Sequence, residues 1–162
     1  MKIHHVGAME GANFFSYQPV IRGIVDISDW HGKMTKEIGD FNQRLLKAIP
    51  SLAAHSCSRG KVGGFIERLE EGTLPGHVLE HIALELLNLA GEKTRYGKTR
   101  LLDETKNEYE IIYQYECKEA ALEAFYYAAE IMNELRNGIE PDVALAVQSL
   151  KTIRARHLPG PS

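Results

Sequence analysis

Residues 73–90 form an almost entirely apolar segment that is interrupted by one narrow line of polar residues. Thr73 and Pro75 favour the start of a helix and Gly91 favours its end, so the segment is predicted to be one α-helix. A helix that is apolar over most of its circumference is buried in its domain. Its polar line must then face a cleft or lie beneath another element.

The polar line of this helix consists of groups that bind metals or transfer protons. At about 100° per residue, its members share one arc of the helix: His77, Glu80, His81, Glu85 and Asn88. A solvated face would normally carry Lys or Arg, and the sequence has neither between Arg68 and Lys93. The line is therefore predicted to be a functional site.

The sequence His-Val-Leu-Glu-His, residues 77–81, is an H-x-x-E-H motif, the order found in inverzincin metallopeptidases. Two His residues four apart direct their ring nitrogens to one point, and Glu80 can reach an open coordination position of a metal there. The positive end of the helix dipole helps to keep His77 neutral, as a ligand must be. The alternative is a pair of structural histidines bonded to nearby carbonyl or carboxylate groups.

A hydrolytic zinc site uses three protein ligands, so His77 and His81 need a third from elsewhere. Cys57 is the first choice, because the basic neighbours Arg59 and Lys61 favour its thiolate. Glu85 is the second choice and His55 the third.

The remaining chain predicts an α+β fold: a small, mainly antiparallel sheet packed against several helices in a single domain. Strands are expected at residues 3–9 and 19–27, paired antiparallel, and at residues 99–102 and 109–116, joined as a hairpin. The other helices are expected at residues 36–49, 65–71, 121–135 and from Pro141 onward. The domain is assigned to residues 1–157. The Pro- and Gly-containing end, residues 158–162, is expected to begin an interdomain linker.

Composition excludes several functional classes. The 162 residues are 44% hydrophobic and 25% charged, as in ordinary globular proteins. A net charge of -3 argues against nucleic-acid or membrane-surface binding, and no apolar run approaches the ~20 residues of a membrane span. With only Cys57 and Cys117, and no signal peptide, a cytoplasmic location is expected.

Several ordered segments resemble the amino-terminal domain of cyanophycin synthetase. These segments are residues 50–52, 55–58, 63–68, 71–73, 76–77, 80–86 and 96–100. The resemblance implies a domain that holds cyanophycin, a poly-aspartate with arginine on each side chain, next to synthetic domains that use ATP and Mg²⁺. Those ATP-grasp and Mur-ligase-like domains are absent from these 162 residues.

In some members the domain resembles a zinc peptidase that cuts cyanophycin into primers. The resemblance then implies Zn²⁺ bound by His77, His81 and Cys57, with Glu80 as general acid and base. Cations are expected to bind the free carboxylates of the polymer, with Arg100 first because it lies in a matching segment. The other candidates are Arg59, Lys61, Arg95 and Lys98.

Further expectations accompany the resemblance. A non-catalytic cyanophycin-binding domain is the alternative to the peptidase. A third interpretation is a purely architectural domain that supports a homo-oligomer of the full-length enzyme. The family's Gly-Pro-Asn-Tyr-Trp-Ser segment is Gly-Ala-Asn-Phe-Phe-Ser here, residues 11–16. Its aromatic residues are expected to keep a packing role.

Overall fold

Four strands form one antiparallel sheet in the order β1-β2-β4-β3, and helices pack against it. The computed structural model describes residues 1–158. Its strands and α-helices are β1 (Lys2–Met9), β2 (Val20–Asp26), α1 (Phe41–Ala48), α2 (Gly64–Glu71), α3 (Pro75–Leu89), β3 (Gly97–Asp103), β4 (Glu108–Gln114), α4 (Lys118–Arg136) and α5 (Val143–His157). The α+β prediction is confirmed. Of the expected linker, residues 159–162 lie outside the described residues.

Both predicted strand pairings are present in the sheet. β1 pairs antiparallel with β2, and β3 pairs with β4 through a hairpin in which Thr99 lies opposite Ile111. β2 and β4 are the two central strands, with Val20 opposite Gln114 at one end. β3 is therefore an edge strand, and it runs beside α3.

Helix α3 lies at the centre of the hydrophobic core, as its composition predicts. Six of its apolar residues are completely buried: Val78, Leu79, Ile82, Ala83, Leu86 and Leu87. α3 contacts α4 and α5 as well as strands β3 and β4. Within residues 1–158, no helix is long and apolar enough to cross a membrane.

Two local predictions are wrong at their boundaries. Helix α1 begins at Phe41 instead of residue 36, because the backbone N–H of Thr35 donates to the carbonyl of Thr73 and residues 35–37 form a 3-10 turn. Thr73 is not the cap of α3. The helix begins at Pro75 after Leu74, and the Thr73 hydroxyl instead contacts His77.

Strand β4 is buried on both faces, although its alternating sequence predicts one solvated face. Glu110 on the second face is only 1% exposed. Its carboxylate accepts hydrogen bonds from Arg22, at 2.7 Å, and from Arg100. These cross-strand ion pairs let a charged residue occupy a buried position of the sheet.

The aromatic segment between β1 and β2 packs only in part. Phe14 and Tyr17 are about nine-tenths exposed, whereas Phe15 is half-buried. The hydroxyl of Tyr96 donates to the carbonyl of Phe15 and holds this segment against the domain. The expected packing role thus applies to Phe15 and not to Phe14.

Candidate metal centre

The first two turns of α3 bring His77 and His81 together. Their Nε2 atoms lie 3.1 Å apart, as the spacing of four residues predicts. At the other ring nitrogen, Nδ1 of His77 lies 2.8 Å from the hydroxyl oxygen of Thr73. The two imidazoles therefore direct one nitrogen each to a common point.

Cys57 reaches the same point from the loop before α2. It lies in a short 3-10 turn with a left-handed backbone (φ 51°), and its Sγ is 3.2 Å from Nε2 of His77. Gly64 allows this loop to lie close to α2, since a Cβ at Gly64 would stand 2.1 Å from the carbonyl oxygen of Ser56. The strained backbone at Cys57 is the kind of feature that clusters at functional sites.

The three ligand atoms have the spacing of a metal site. Those of Cys57, His77 and His81 all lie within 4.8 Å of one another. Ligands of a tetrahedral zinc ion are about 3.3–3.6 Å apart, given bonds of about 2.0–2.1 Å to nitrogen and 2.3 Å to sulfur. The contacts of 3.1 and 3.2 Å need to open only slightly to hold the ion.

The two other candidates for third ligand lie behind His81. Nδ1 of His55 is 2.8 Å from Nδ1 of His81, and Nε2 of His55 is 2.6 Å from Oε2 of Glu85. His55 therefore contacts the side of His81 that faces away from His77, and Glu85 stands behind His55. The structure brings together Cys57, His77 and His81, and places His55 and Glu85 around them.

Burial keeps both candidate ligand histidines neutral. Desolvation, with a smaller contribution from the positive charge of Arg68, lowers the pKa of His77 to about 4. Desolvation and the neighbouring His77 and His55 hold the pKa of His81 well below its usual value. Neutral imidazoles are the form that binds a metal.

Glu85 behind the site keeps its charge. Burial alone would raise the pKa of Glu85, but hydrogen bonds from His55 and Ser51 lower it overall. An ionised carboxylate thus stands at the outer end of this group of side chains.

Glu80 lies beside the cluster and is held by strand β3. The hydroxyl of Thr99 donates to Oε2 of Glu80 at 2.6 Å. A Cβ at Gly97 would stand 2.3 Å from Oε1 of Glu80, so only glycine leaves room for this carboxyl group. Burial raises the pKa of Glu80 to about 7, although the hydrogen bond from Thr99 opposes the rise. A general acid and base works best with a pKa of this kind.

The cluster opens into a cleft of about 1170 Å³ that has cations along its walls. Of the five predicted substrate cations, Arg95 and Lys98 line this cleft, and neither forms an ion pair within the described part of the chain. Arg59 pairs with Glu71 and Lys61 with Glu67, outside the cleft lining.

The leading cation candidate, Arg100, occupies a different environment. It binds Glu110 on the face of the sheet described above and does not line the cleft.

Three cleft residues have no predicted functional role in the sequence analysis. Thr73 and Thr99 bind His77 and Glu80, and Arg68 lines the cleft with a buried Nε atom that has no hydrogen-bond partner among residues 1–158. Neither threonine belongs to the H-x-x-E-H motif, and their partners are defined only by the fold. The one signal for all three residues in the sequence is that they lie in the resembling segments 63–68, 71–73 and 96–100.

Within residues 1–158, Cys117 and the histidines other than His55, His77 and His81 lie outside this group of side chains. Cys117 is a buried core residue at 2% exposure. His4 and His157 lie near Glu108 and Glu119 on the surface.

A thiol and two imidazoles that converge beside a buried carboxyl group in an α+β domain define a candidate metal-binding domain. The family follows from the sequence: residues 23–137 match the model of the cyanophycin synthase-like N-terminal domain, and the chain belongs to this family.

Curated relatives agree with this family. The chain is 37% identical to cyanophycin synthetase from Geminocystis herdmanii over 168 aligned residues, which cover 100% of this chain and 19% of that protein. It is 34% identical to the cyanophycin synthetase of Synechocystis sp., over 83% of this chain and 16% of that protein. It is also 34% identical to the cyanophycin synthetase of Nostoc sp., over 100% of this chain and 18% of that protein. The chain thus spans about a fifth or less of the length of these relatives.

Proposed function

We propose that this domain is a zinc-dependent hydrolase that cuts cyanophycin into short chains, which then prime polymerisation. The observation that carries the proposal is the convergence of Cys57, His77 and His81 beside Glu80 in an open cleft. Family membership supports the choice of substrate, since the relatives are cyanophycin synthetases.

The donor set fits zinc better than a hard cation. One thiol and two neutral imidazoles are ligands that Zn²⁺ prefers, whereas Mg²⁺ and Ca²⁺ prefer oxygen. Cys57, His77 and His81 would hold the ion. Zn²⁺ in a site with three protein ligands supplies hydroxide at neutral pH and polarises a carbonyl group.

Glu80 supplies the proton transfers of the proposed reaction. Its carboxylate takes the proton of the attacking water and gives it to the leaving amine of the cleaved peptide bond. A pKa of about 7 lets the same group perform both steps near neutral pH. Thr99 and Gly97 keep the carboxyl group in place for these transfers.

The cleft cations support binding of a polymer that carries free carboxylates. Arg95 and Lys98 line the cleft without ion pairs in the described residues, so their charges are available to the arginine carboxylates of cyanophycin. We propose further that the domain works within a longer cyanophycin synthetase, a ligase whose ATP and Mg²⁺ belong to other domains.

The decisive experiment incubates the purified chain with cyanophycin, with and without a chelator, alongside Glu80→Gln. Glu123→Gln, an exposed substitution on α4, is the matched control. Wild type and control should release short chains, the chelator should stop release and added Zn²⁺ should restore it. Glu80→Gln should bind Zn²⁺ but release at least about 100-fold less product.

Two results would change this assignment. A zinc-loaded wild-type domain that binds cyanophycin but releases no short chains would instead be the non-catalytic binding domain. If Cys57→Ala retains the full zinc stoichiometry and affinity, the third ligand is Glu85 or His55.

A further inference from the structure

The two candidate ligand histidines differ in the partner of their Nδ1 atoms. Among residues 1–158, the only hydrogen-bond partner of Nδ1 of His77 is the neutral hydroxyl of Thr73, at 2.8 Å. Nδ1 of His81 meets Nδ1 of His55 at 2.8 Å, and His55 in turn contacts Oε2 of Glu85 at 2.6 Å. Only His81 is therefore connected to a carboxylate, through one intervening imidazole.

The direction of each hydrogen bond in the series from His81 through His55 to Glu85 follows from one requirement. If Nε2 of His81 presents its lone pair to a metal, its proton resides on Nδ1 and is donated to Nδ1 of His55. His55 then carries its own proton on Nε2 and donates it to Glu85. A single assignment of protons thus satisfies all four nitrogen atoms and the carboxylate.

The surroundings hold these rings in place. Phe65 stacks on His81 with ring centroids 4.1 Å apart and an angle of 25° between the planes. The backbone N–H of Phe65 donates to the carbonyl of His55, which ties the loop to the start of α2. His55 and Glu85 are also largely shielded from water, with side chains 16% and 9% exposed.

We propose that His55 and Glu85 are positioning residues of the metal centre: they fix the orientation and tautomer of His81 and strengthen it as a ligand. Ligand histidines generally donate their second N–H to an acceptor, and loss of that acceptor costs about 10- to 100-fold in metal affinity. This inference rests on the metal site of the proposed function. It gives His55 and Glu85 roles other than the coordination considered from sequence.

The test measures Zn²⁺ affinity by competition with a chromophoric chelator, together with the absorption spectrum of the Co²⁺-loaded protein. His55→Ala should weaken Zn²⁺ binding about 10- to 100-fold and shift the cobalt bands. His55→Gln should recover part of the loss, since its amide oxygen can accept from His81. Glu85→Gln should produce a smaller loss, because an acceptor remains but its charge is removed.

Matched controls and thermal unfolding of the metal-free protein separate this role from a structural one. His157→Gln on α5 and Glu123→Gln on α4 are exposed substitutions away from the cleft lining, and they should leave affinity and spectrum unchanged. A structural role would lower the unfolding temperature without changing the affinity or the cobalt spectrum. Glu85→Gln keeps the test valid if His55→Ala does not fold, because the Gln side chain has nearly the same shape as the Glu side chain that it replaces.

The outcomes distinguish this inference from the proposed function. If wild type binds Zn²⁺ and cleaves cyanophycin, but His55→Ala and Glu85→Gln bind Zn²⁺ equally tightly with an unchanged cobalt spectrum, the positioning role is wrong and the hydrolase stands. If zinc-loaded wild type does not cleave but these variants lose affinity, the positioning role stands without the hydrolase. A wild-type domain that binds neither Zn²⁺ nor Co²⁺ overturns both.

Discussion

Glu80 and Glu110 are both almost completely buried, at 6% and 1% exposure, yet their surroundings favour opposite protonation states. Glu80 has a neutral partner, Thr99, and burial raises its pKa to about 7. Burial also acts to raise the pKa of Glu110, but the hydrogen bonds and charges of Arg100 and Arg22 lower it overall. The partners of a buried carboxyl group, and not burial alone, decide whether it can carry protons.

The largest expected contrast is between removing the charge of Glu80 and that of Glu110. Glu80→Gln should reduce cyanophycin cleavage by at least about 100-fold, while the protein stays folded because the amide oxygen can still accept from Thr99. Glu110→Gln should retain cleavage but lose about 2 kcal/mol of unfolding free energy, because Arg22 and Arg100 lose a charged acceptor. Cleavage assays and urea unfolding measure both effects. A Glu110→Gln domain as inactive as Glu80→Gln would remove the distinction between the two sites.

The pH dependence of stability should separate the same two carboxyl groups in the metal-free protein. The folded pKa of Glu80, about 7, exceeds its usual value of 4.5. Its stabilising contribution is therefore fully present below pH 4.5 and is lost as the pH rises through 7. Glu110 has a lowered pKa, so its contribution is present above its usual pKa and is lost as the pH falls.

Urea unfolding at several pH values checks these signs. The free energy of unfolding of wild type minus that of Glu80→Gln should fall by on the order of 3 kcal/mol as the pH rises through this window. The titrations of His77 and His81 occur in both proteins and largely cancel in the difference. A difference that stays constant with pH would contradict the raised pKa.

Gly97→Ala tests whether the position of Glu80 matters as much as its charge. The new Cβ would stand 2.3 Å from Oε1 of Glu80 and displace the carboxyl group. We expect about a 10- to 100-fold loss of cleavage from this misplacement, with Zn²⁺ affinity unchanged. Gly7→Ala is the matched control, since on β1 the new Cβ meets only the side chain of His5. Equal activities of the two variants would show that the contact with Gly97 is unimportant.

The smallest expected effect concerns the cleft cations. Arg95→Ala should raise the KM for cyanophycin about twofold to fivefold, as expected for the loss of one exposed ionic contact, and leave kcat unchanged. Lys151→Ala, an exposed position on α5, should change neither constant. Steady-state kinetics at low and high salt measure the effect, which salt should diminish. An unchanged KM would remove Arg95 from the binding surface.

The central features of the fold could be predicted because they are local in sequence. Helix α3 is recognisable from its apolar composition, and the spacing of four residues alone brings His77 and His81 within 3.1 Å. The two strand pairings follow from alternation and short connections. The departures from these predictions have tertiary causes. The start of α1 is wrong because Thr35 bonds to Thr73 across the fold, and Glu110 is buried because arginines from two other strands neutralise it.

The site itself was predictable only in part. The sequence offers Cys57, Glu85 and His55 as third ligands but cannot decide between them, because the positions of Cys57 and His55 depend on how their loop docks on α3. Arg100 illustrates the same limit, because its carboxylate partner lies across the hairpin. The metal, catalytic and substrate-binding roles stay predictions.

The candidate ligands come from two separate parts of the chain, so metal affinity would depend on how much of the fold is formed. His77 and His81 stay together in any state in which α3 is helical, including a partly unfolded one. Cys57 joins them only when its loop is docked, since 20 residues separate it from His77. A partly folded chain would therefore retain a weak two-imidazole site, and tight binding would require native tertiary structure. For the proposed site, metal affinity would thus be a probe of native folding that helix content, measured by circular dichroism, could not replace.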